Sequence, residues 1–374
     1  MLKLKKKILF FCSDGGSLVN FRGNLIRKFI ASNYDVIANT PNISQKNLAI
    51  LHSWGVECID TSFNRKSLSI FVLISEIFSL VKIIKIHRPN IIFSYTQKPV
   101  LIGALAAFFC RVPEIISLIT GTGHLFDNYD WKSRIRKFSG LFALRIALKI
   151  SSKVIFQNND NLNLFTRNKL VNKDKTYVIN GSGVDINAFP FQPFKNTKTF
   201  LCLARLLTSK GLREYAESAK QILSKYPEYT FLLGGPADEH EDSIPLEEIE
   251  NVWPKKFGVH YIGNVSNPAT MLGDCDAYIL LSYNEGTPRS VLEAMSVGRP
   301  IITTDAPGCR ETVVHGLNGF LVEPRNINSA VKYIEKLIHS NMETMGIESR
   351  KMCEVKYDVE KVNENIFDIL EIYE

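Results

Sequence analysis

Two glutamates, Glu285 and Glu293, stand eight residues apart in the stretch YNEGTPRSVLEAMSVGRPIITTD, residues 283–305. The apolar run AYILLS ahead of them reads as a buried strand, and RSVLEAMSVG reads as a helix stopped by Gly298. Glu285 then stands at the carboxyl end of a strand, and Glu293 lies inside the following helix. A carboxylate buried in a helix needs hydrogen-bond donors, and the two hydroxyls of a ribose are well matched to that need. The intervening loop, with Gly286 and Thr287, delivers a helix N-terminus, which favours an anion. Glu285 would face the sugar end of the same ligand.

A second stretch, LARLLTSKGLREY at 203–215, places Arg205 just after a strand and Lys210 just before a helix. Two cations across a strand-to-helix loop can straddle a diphosphate, Arg by forked hydrogen bonds and Lys as a point charge. Cations are unfavourable at a helix start unless an anion is present, which weights the reading toward binding. The stretch lacks the G-x-x-x-x-G-K-[ST] pattern of an ATP-binding loop. Gly15 and Gly16, in CSDGGSLVNFRGNL, make another strand-to-helix turn that could admit an anion, but not a dinucleotide fingerprint. Asp274 and Asp276 spell D-x-D; at a helix end and a strand start they read as cap and turn residues, with no metal role.

The elements that position these residues alternate along the whole chain. Apolar runs such as KILFFCS, YDVIANT and NIIFSYT are separated by amphipathic stretches. Continuous apolar strands between helices indicate parallel sheets covered on both faces. Residues 187–198, NAFPFQPFKNTK, break the alternation and read as a linker. This divides the chain into an N-terminal domain, 1–186, and a C-terminal domain, 199–352, with a terminal helix over 353–374 that could pack back on the first domain. With 374 residues, two domains are the natural division. Open α/β domains bind ligands at the carboxyl ends of their strands, here toward a cleft between them.

Composition narrows the partners. The net charge is +7, yet the cations concentrate in residues 1–187 and the remainder is net acidic. A basic half suggests an anionic partner. No zinc-finger spacing or aromatic–basic RNA motif occurs, so nucleic acid is set aside. The seven cysteines form no C-x-x-C pair and read as reduced thiols. The window SIFVLISEIFSLVKIIKI, 69–86, carries Glu76, Lys82 and Lys85 and reads as a core-facing helix. The window 131–150 is basic and amphipathic: Trp131, Ile135, Phe138 and Phe142 recur near helical spacing with Lys132, Arg134, Arg136 and Lys137 between them. It fits either a core helix with a basic outer face or an interfacial membrane helix.

Taken together, the Glu285/Glu293 spacing, ARLLTSKG and NGSGVD at 180–185 resemble the retaining glycosyltransferases of family 4, of GT-B fold: two Rossmann-like domains facing a central cleft. VNFRGNLI, SYTQKPVLIGALAA and ITGTGHLF resemble the bacterial members that extend polyprenyl-diphosphate-linked amino sugars in O-antigen, capsule or N-glycan assembly. The resemblance implies that Arg205 and Lys210 bind the donor diphosphate with Gly16, Gly286 and Thr287, that Glu293 holds the ribose, and that Glu285 serves the sugar. Related lipid-linked enzymes often carry an aromatic residue where this chain has His124, which by the resemblance touches the sugar. It further implies a UDP-N-acetylhexosamine donor (GalNAc or GlcNAc), an undecaprenyl-diphosphate-linked acceptor, and no metal or other cofactor. The site of action would be the cytoplasmic face of the inner membrane, with Lys132, Arg134, Arg136 and Lys137 meeting the acceptor or the membrane. The alternatives are a UDP-sugar 2-epimerase of the same architecture and a non-catalytic sugar-nucleotide-binding subunit. Acceptor-dependent UDP release separates the transferase from both.

Overall fold

The computed structural model describes residues 5–61, 69–122 and 131–372, with only the backbone described over 131–139. The chain divides into two compact units. The first comprises residues 1–179 and 363–374, the second residues 180–362.

In the first unit seven strands form one parallel sheet: β1 Lys7–Phe11, β2 Asp35–Thr40, β3 Glu57–Asp60, β4 Ile91–Tyr95, β5 Glu114–Ile119, β6 Lys153–Phe156 and β7 Thr176–Val178. Their order is β3-β2-β1-β4-β5-β6-β7. The continuous apolar strands of the sequence are the central ones. Ile8, Leu9 and Phe10 on β1 and Ile92 and Phe93 on β4 are fully buried, because helices cover both faces of the sheet. Helices Ile70–His87, Gln97–Phe109 and Trp131–Ile150 share one face, packing Leu80, Ile84, Ala104, Ala107 and Ala147 over Leu9 and Ile92. Phe367, in the terminal helix Val359–Ile369, stacks its ring 4.8 Å from Phe29 of this unit.

The second unit repeats the plan with six parallel strands: β8 Thr199–Leu203, β9 Thr230–Gly234, β10 Val259–Tyr261, β11 Ala277–Leu280, β12 Ile301–Thr304 and β13 Gly319–Val322, in the order β10-β9-β8-β11-β12-β13. The chain winds outward in one direction from β8 and in the other from β11. Such a reversal leaves the loops after the two adjoining strands diverging to opposite faces, and ligands of open α/β sheets bind there. Residues 187–198 carry no helix or strand and belong to this second unit. They are tied to it by buried Asp276, whose carboxylate accepts the Thr197 and Lys198 backbone N–H groups at 2.7 and 2.6 Å. Fully buried Arg299 donates to the carbonyls of Gln192 and Pro193, each at 3.1 Å.

All seven cysteines are unpaired, five of them buried. Among the described residues no helix is long and apolar enough to cross a membrane. The helix Ile70–His87 does turn Leu80, Ile83 and Ile84 inward as a core-facing helix should, but it leaves Phe71 and Phe78 on the outside.

Candidate active site

The candidate residues of the second unit lie on the segments that follow β8 and β11, the two strands at the reversal. Beyond β8 the chain makes a tight turn over Thr208–Lys210 and enters helix Leu212–Lys225 through Gly211, at φ 68. A β-carbon on Gly211 would lie 2.0 Å from the Leu281 carbonyl oxygen, so only glycine allows this turn to rest on the end of β11. The Tyr283 N–H donates to the Ser209 carbonyl at 3.0 Å and locks the two loops together. As a result Lys210 Nζ sits 2.5 Å from Glu285 Oε1, with side chains 16% and 17% exposed. The two residues lie 75 positions apart, and the topology alone unites them.

Glu285 is held from the other side as well. Its N–H donates to the Pro307 carbonyl at 2.9 Å. Gly308, at φ 80, passes so close that a β-carbon there would lie 2.3 Å from the Glu285 carbonyl oxygen. Thr303 and Thr304 at the end of β12 donate their hydroxyls to the Leu280 and Ser282 carbonyls. Three successive strand ends therefore fix one loop, and a side chain on it has little freedom to lose on binding a ligand.

Arg205 stands at the rim of the same loop, half exposed, with Nη1 2.6 Å from Asp238 Oδ2. Burial pushes the Asp238 carboxyl up, but the Arg205 guanidinium and the His240 N–H more than reverse this and hold it below its ordinary range. Asp242, from the same segment, accepts the Ser209 N–H at 3.0 Å and so fixes the turn that carries Lys210.

Glu293 lies in helix Arg289–Val297, where Arg289 Nε approaches its Oε1 to 3.1 Å one turn earlier. Burial pushes the Glu293 carboxyl up, and the Arg289 cation draws it partly back. No side chain caps the start of this helix. Ser290, in its first turn, is fixed instead by the buried Tyr278 hydroxyl at 2.6 Å. Thr287 packs against the Asn180–Gly183 turn, through Gly181, which accounts for NGSGVD beside the glutamate motif. Asp274 pairs with Lys195 at 2.6 Å, and Asp276 anchors residues 197 and 198, so both aspartates have structural duties.

In the first unit Gly16 falls in the opening turn of helix Gly15–Ala31, which is capped by Asp14, its carboxylate accepting the Ser17 N–H at 3.0 Å. The Ser17 hydroxyl meets the buried Tyr95 hydroxyl at 2.7 Å, and Arg22 lies over the Tyr95 ring. Burial pushes that phenol well up from its ordinary range. Next along, Gln97 Nε2 donates to the Gly121 carbonyl at 3.1 Å, and Lys98 pairs with Glu76. The ends of β1, β4 and β5 thus gather a second polar cluster. His124 lies outside the described residues. Lys132, Arg134, Arg136 and Lys137 lie on helix Trp131–Ile150, in the part described by backbone alone.

The sequence analysis therefore named Arg205, Lys210, Glu285 and Glu293, all in the second unit, but neither the pairing of Lys210 with Glu285 nor the partners of the other two. Arg289 was readable, four residues before Glu293 on a helix. Asp238 and Asp242 had no such signal, lying 33 positions from the residues they hold.

Comparison with known proteins places the chain among glycosyltransferases. Residues 185–355 match the family model of the glycosyl transferases group 1. Residues 7–158 match the model of the glycosyl transferase 4-like domain. The chain is 28% identical over 348 residues to the N,N'-diacetylbacillosaminyl-diphospho-undecaprenol alpha-1,3-N-acetylgalactosaminyltransferase of Campylobacter jejuni, covering 89% of each chain. It is 24% identical over 289 residues to the UDP-Gal:alpha-D-GlcNAc-diphosphoundecaprenol alpha-1,3-galactosyltransferase of Escherichia coli, covering 73% of this chain and 72% of that one. Among solved structures, Anabaena Alr3699/HepE in complex with UDP-glucose superposes with a TM-score of 0.78 at 21% identity, over 98% of this chain and 100% of the other.

Proposed function

The chain is a glycosyltransferase of GT-B fold, built from a 4-like domain and a group 1 domain, and from that membership we propose that it moves an N-acetylhexosamine from a UDP-sugar to an undecaprenyl-diphosphate-linked sugar, with retention at the anomeric carbon. The observation that carries the donor half is the convergence of Arg205, Lys210, Glu285 and Glu293 on one strand reversal. The acceptor half is supported by likeness to two relatives whose names specify diphospho-undecaprenol acceptors.

Within this reading Arg205 and Lys210 take the charge that develops on the leaving diphosphate, a role that preorganised cations fill without reorganising during the reaction. Gly286 and Thr287 offer backbone N–H groups from the start of helix Arg289–Val297 to the same phosphates. Glu293 accepts the ribose hydroxyls, and Glu285 steadies the sugar and the Lys210 ammonium together. Gly16 and His124, both of the first unit, take their donor and sugar roles in this reading from the family resemblance alone. The bond from the anomeric carbon to UDP breaks, the bond to the acceptor oxygen forms on the same face, and the acceptor proton passes to the departing diphosphate. In this reading the two cations supply the charge that a metal supplies in other transferases, and no metal is required. The first unit, with Lys132, Arg134, Arg136 and Lys137, receives the lipid-linked acceptor at the cytoplasmic face of the inner membrane. Surface-polysaccharide or glycan precursor assembly is the setting.

The test is release of UDP from a panel of UDP-sugars with and without an undecaprenyl-diphosphate-linked sugar. Acceptor-dependent release with linkage analysis of the product is the expected result. Epimerised UDP-sugar formed without acceptor would overturn the proposal.

A further inference from the structure

The outer layer of the first unit has a composition unusual for a water-facing surface. Helix Ile70–His87 exposes positions 70, 71, 74, 75, 78, 82, 85 and 86, of which only Ser75 is neither apolar nor a cation, and they recur at helical spacing along one stripe. The first half of that stripe is Phe71, Ile74 and Phe78, with Phe71 81% exposed. The second half is Lys82 and Lys85, ending in Ile86. Helix Gln97–Phe109 lies beside it and ends in Phe108 and Phe109, both exposed, followed by exposed Arg111. Helix Trp131–Ile150, on the far side of Gln97–Phe109, exposes Phe142, Arg145, Ile146 and Lys149 at the same spacing.

The three helices cover one face of a single sheet, so their outward stripes belong to one surface. Between them they contain one acid, Glu76. It is turned inward, 8% exposed, with its Oε1 3.0 Å from Lys98 Nζ. The outward surface therefore carries large apolar side chains and cations and no carboxylate from these helices. A monomer rarely leaves such an apolar area in water, and interleaved cations set its complement as an anionic one. Lys and Arg beside exposed Phe and Ile fit the headgroup layer of a bilayer, where rings enter the acyl boundary and cations meet lipid phosphates.

We propose that this face, led by Phe71 and Phe78 of helix Ile70–His87, is the surface by which the protein docks on an anionic bilayer. The proposal rests on the lipid-linked acceptor inferred above. It assigns the insertion to a helix that composition alone marks as core, and makes helix Trp131–Ile150 one edge of the surface rather than its whole.

The test is flotation of the full chain with vesicles of phosphatidylethanolamine and phosphatidylglycerol, against phosphatidylcholine alone. The parent should float only with the anionic vesicles and be released as salt rises. Phe71→Ser with Phe78→Ser should lower partitioning at least about 10-fold. Lys82→Gln with Lys85→Gln should lower it about 10-fold and flatten the salt dependence. Both pairs are outward-facing, and unchanged circular dichroism verifies the fold. A parent that ignores anionic vesicles, or variants that float as well as the parent, would overturn the proposal. So would a parental dimer that Phe71→Ser with Phe78→Ser converts to monomer without altering flotation, since the face would then join two copies. Transfer to a water-soluble, short-chain acceptor should stay at the parental rate in the Phe variant, while transfer to long-chain acceptor in vesicles falls. If the parent transfers to neither acceptor, the acceptor reading fails, and the flotation result stands apart from it.

Discussion

Lys210 and Glu285 give the sharpest prediction, because their substitution should move donor affinity in opposite directions. Their charged atoms are 2.5 Å apart, and both side chains are more than four-fifths buried. At an effective dielectric constant of about 20, unit charges at that distance attract by about 7 kcal/mol, an upper figure from which desolvation takes back most. Truncating one partner of such a pair costs about 3 kcal/mol, because the other charge is stranded. On the proposed function, Lys210→Ala also removes a cation that binds the donor diphosphate. A charge-assisted hydrogen bond contributes about 1.5–3 kcal/mol, so UDP should bind about 10- to 100-fold more weakly. Glu285→Gln keeps the shape but frees the ammonium from its competitor. UDP should bind as well as before or better, while turnover falls about 100-fold with the loss of a preorganised charge. The double variant strands no charge and should be more stable than Lys210→Ala alone. Calorimetric titration with UDP and thermal unfolding read these quantities. A loss of UDP affinity by the same factor in both single variants would refute the reasoning, since Glu285 would then be a ligand-binding group and not a competitor for Lys210.

The other predictions follow from the neighbouring pairs. Arg205→Ala should weaken UDP binding and turnover by about 10-fold or more, while Asp238→Asn, which releases Arg205, should not weaken binding; parental kinetics in folded Arg205→Ala would remove it from the site. Glu293→Gln should weaken UDP binding through the lost ribose contact, by about 10-fold or more, and calorimetry showing unchanged affinity would reject that role. Burial holds the Glu293 carboxyl above its ordinary 4.5, so its contribution to stability is full below that pH and is given up as pH rises through the folded value. Glu293→Gln should accordingly flatten the stability profile just above pH 4.5, read by thermal unfolding in acid buffers. Chelator should leave transfer unchanged; loss with EDTA and rescue by Mn²⁺ would show that the cations do not suffice.

The strand alternation was legible because buried parallel strands are continuous apolar runs, as in KILFFCS and AYILLS, too short for a buried helix and followed by turn residues. The charged residues proposed to hold the donor stood out for a related reason: cations after one strand and glutamates after another are costly unless they bind something. Their pairings did not, because Arg205–Asp238 and Lys210–Glu285 span 33 and 75 residues, and sequence spacing says nothing about pairs that only the sheet order brings together. Helix Ile70–His87 was legible as core-facing, but its outer stripe was not. When Phe71, Ile74 and Phe78 are as apolar as Leu80, Ile83 and Ile84, periodicity cannot tell the inner stripe from the outer one, and the reading defaults to core.

In the donor site proposed above, the charged residues are already neutralised pair by pair. Arg205 rests on Asp238, Lys210 on Glu285, and Glu293 on Arg289. A diphosphate arriving here gains no bare cations. It exchanges places with carboxylates, so part of each new contact is offset by one given up, and ground-state affinity stays modest. During transfer the balance shifts. Negative charge grows on the leaving diphosphate while the carboxylates' charge stays constant, so the cations are drawn progressively toward the phosphate. Stabilisation that strengthens only as the bond breaks accelerates the chemical step, whereas equal stabilisation of bound donor and transition state would not. On the proposed function, Asp238 and Glu285 would hold the cations in place before the donor arrives and restrain the binding of the ground state.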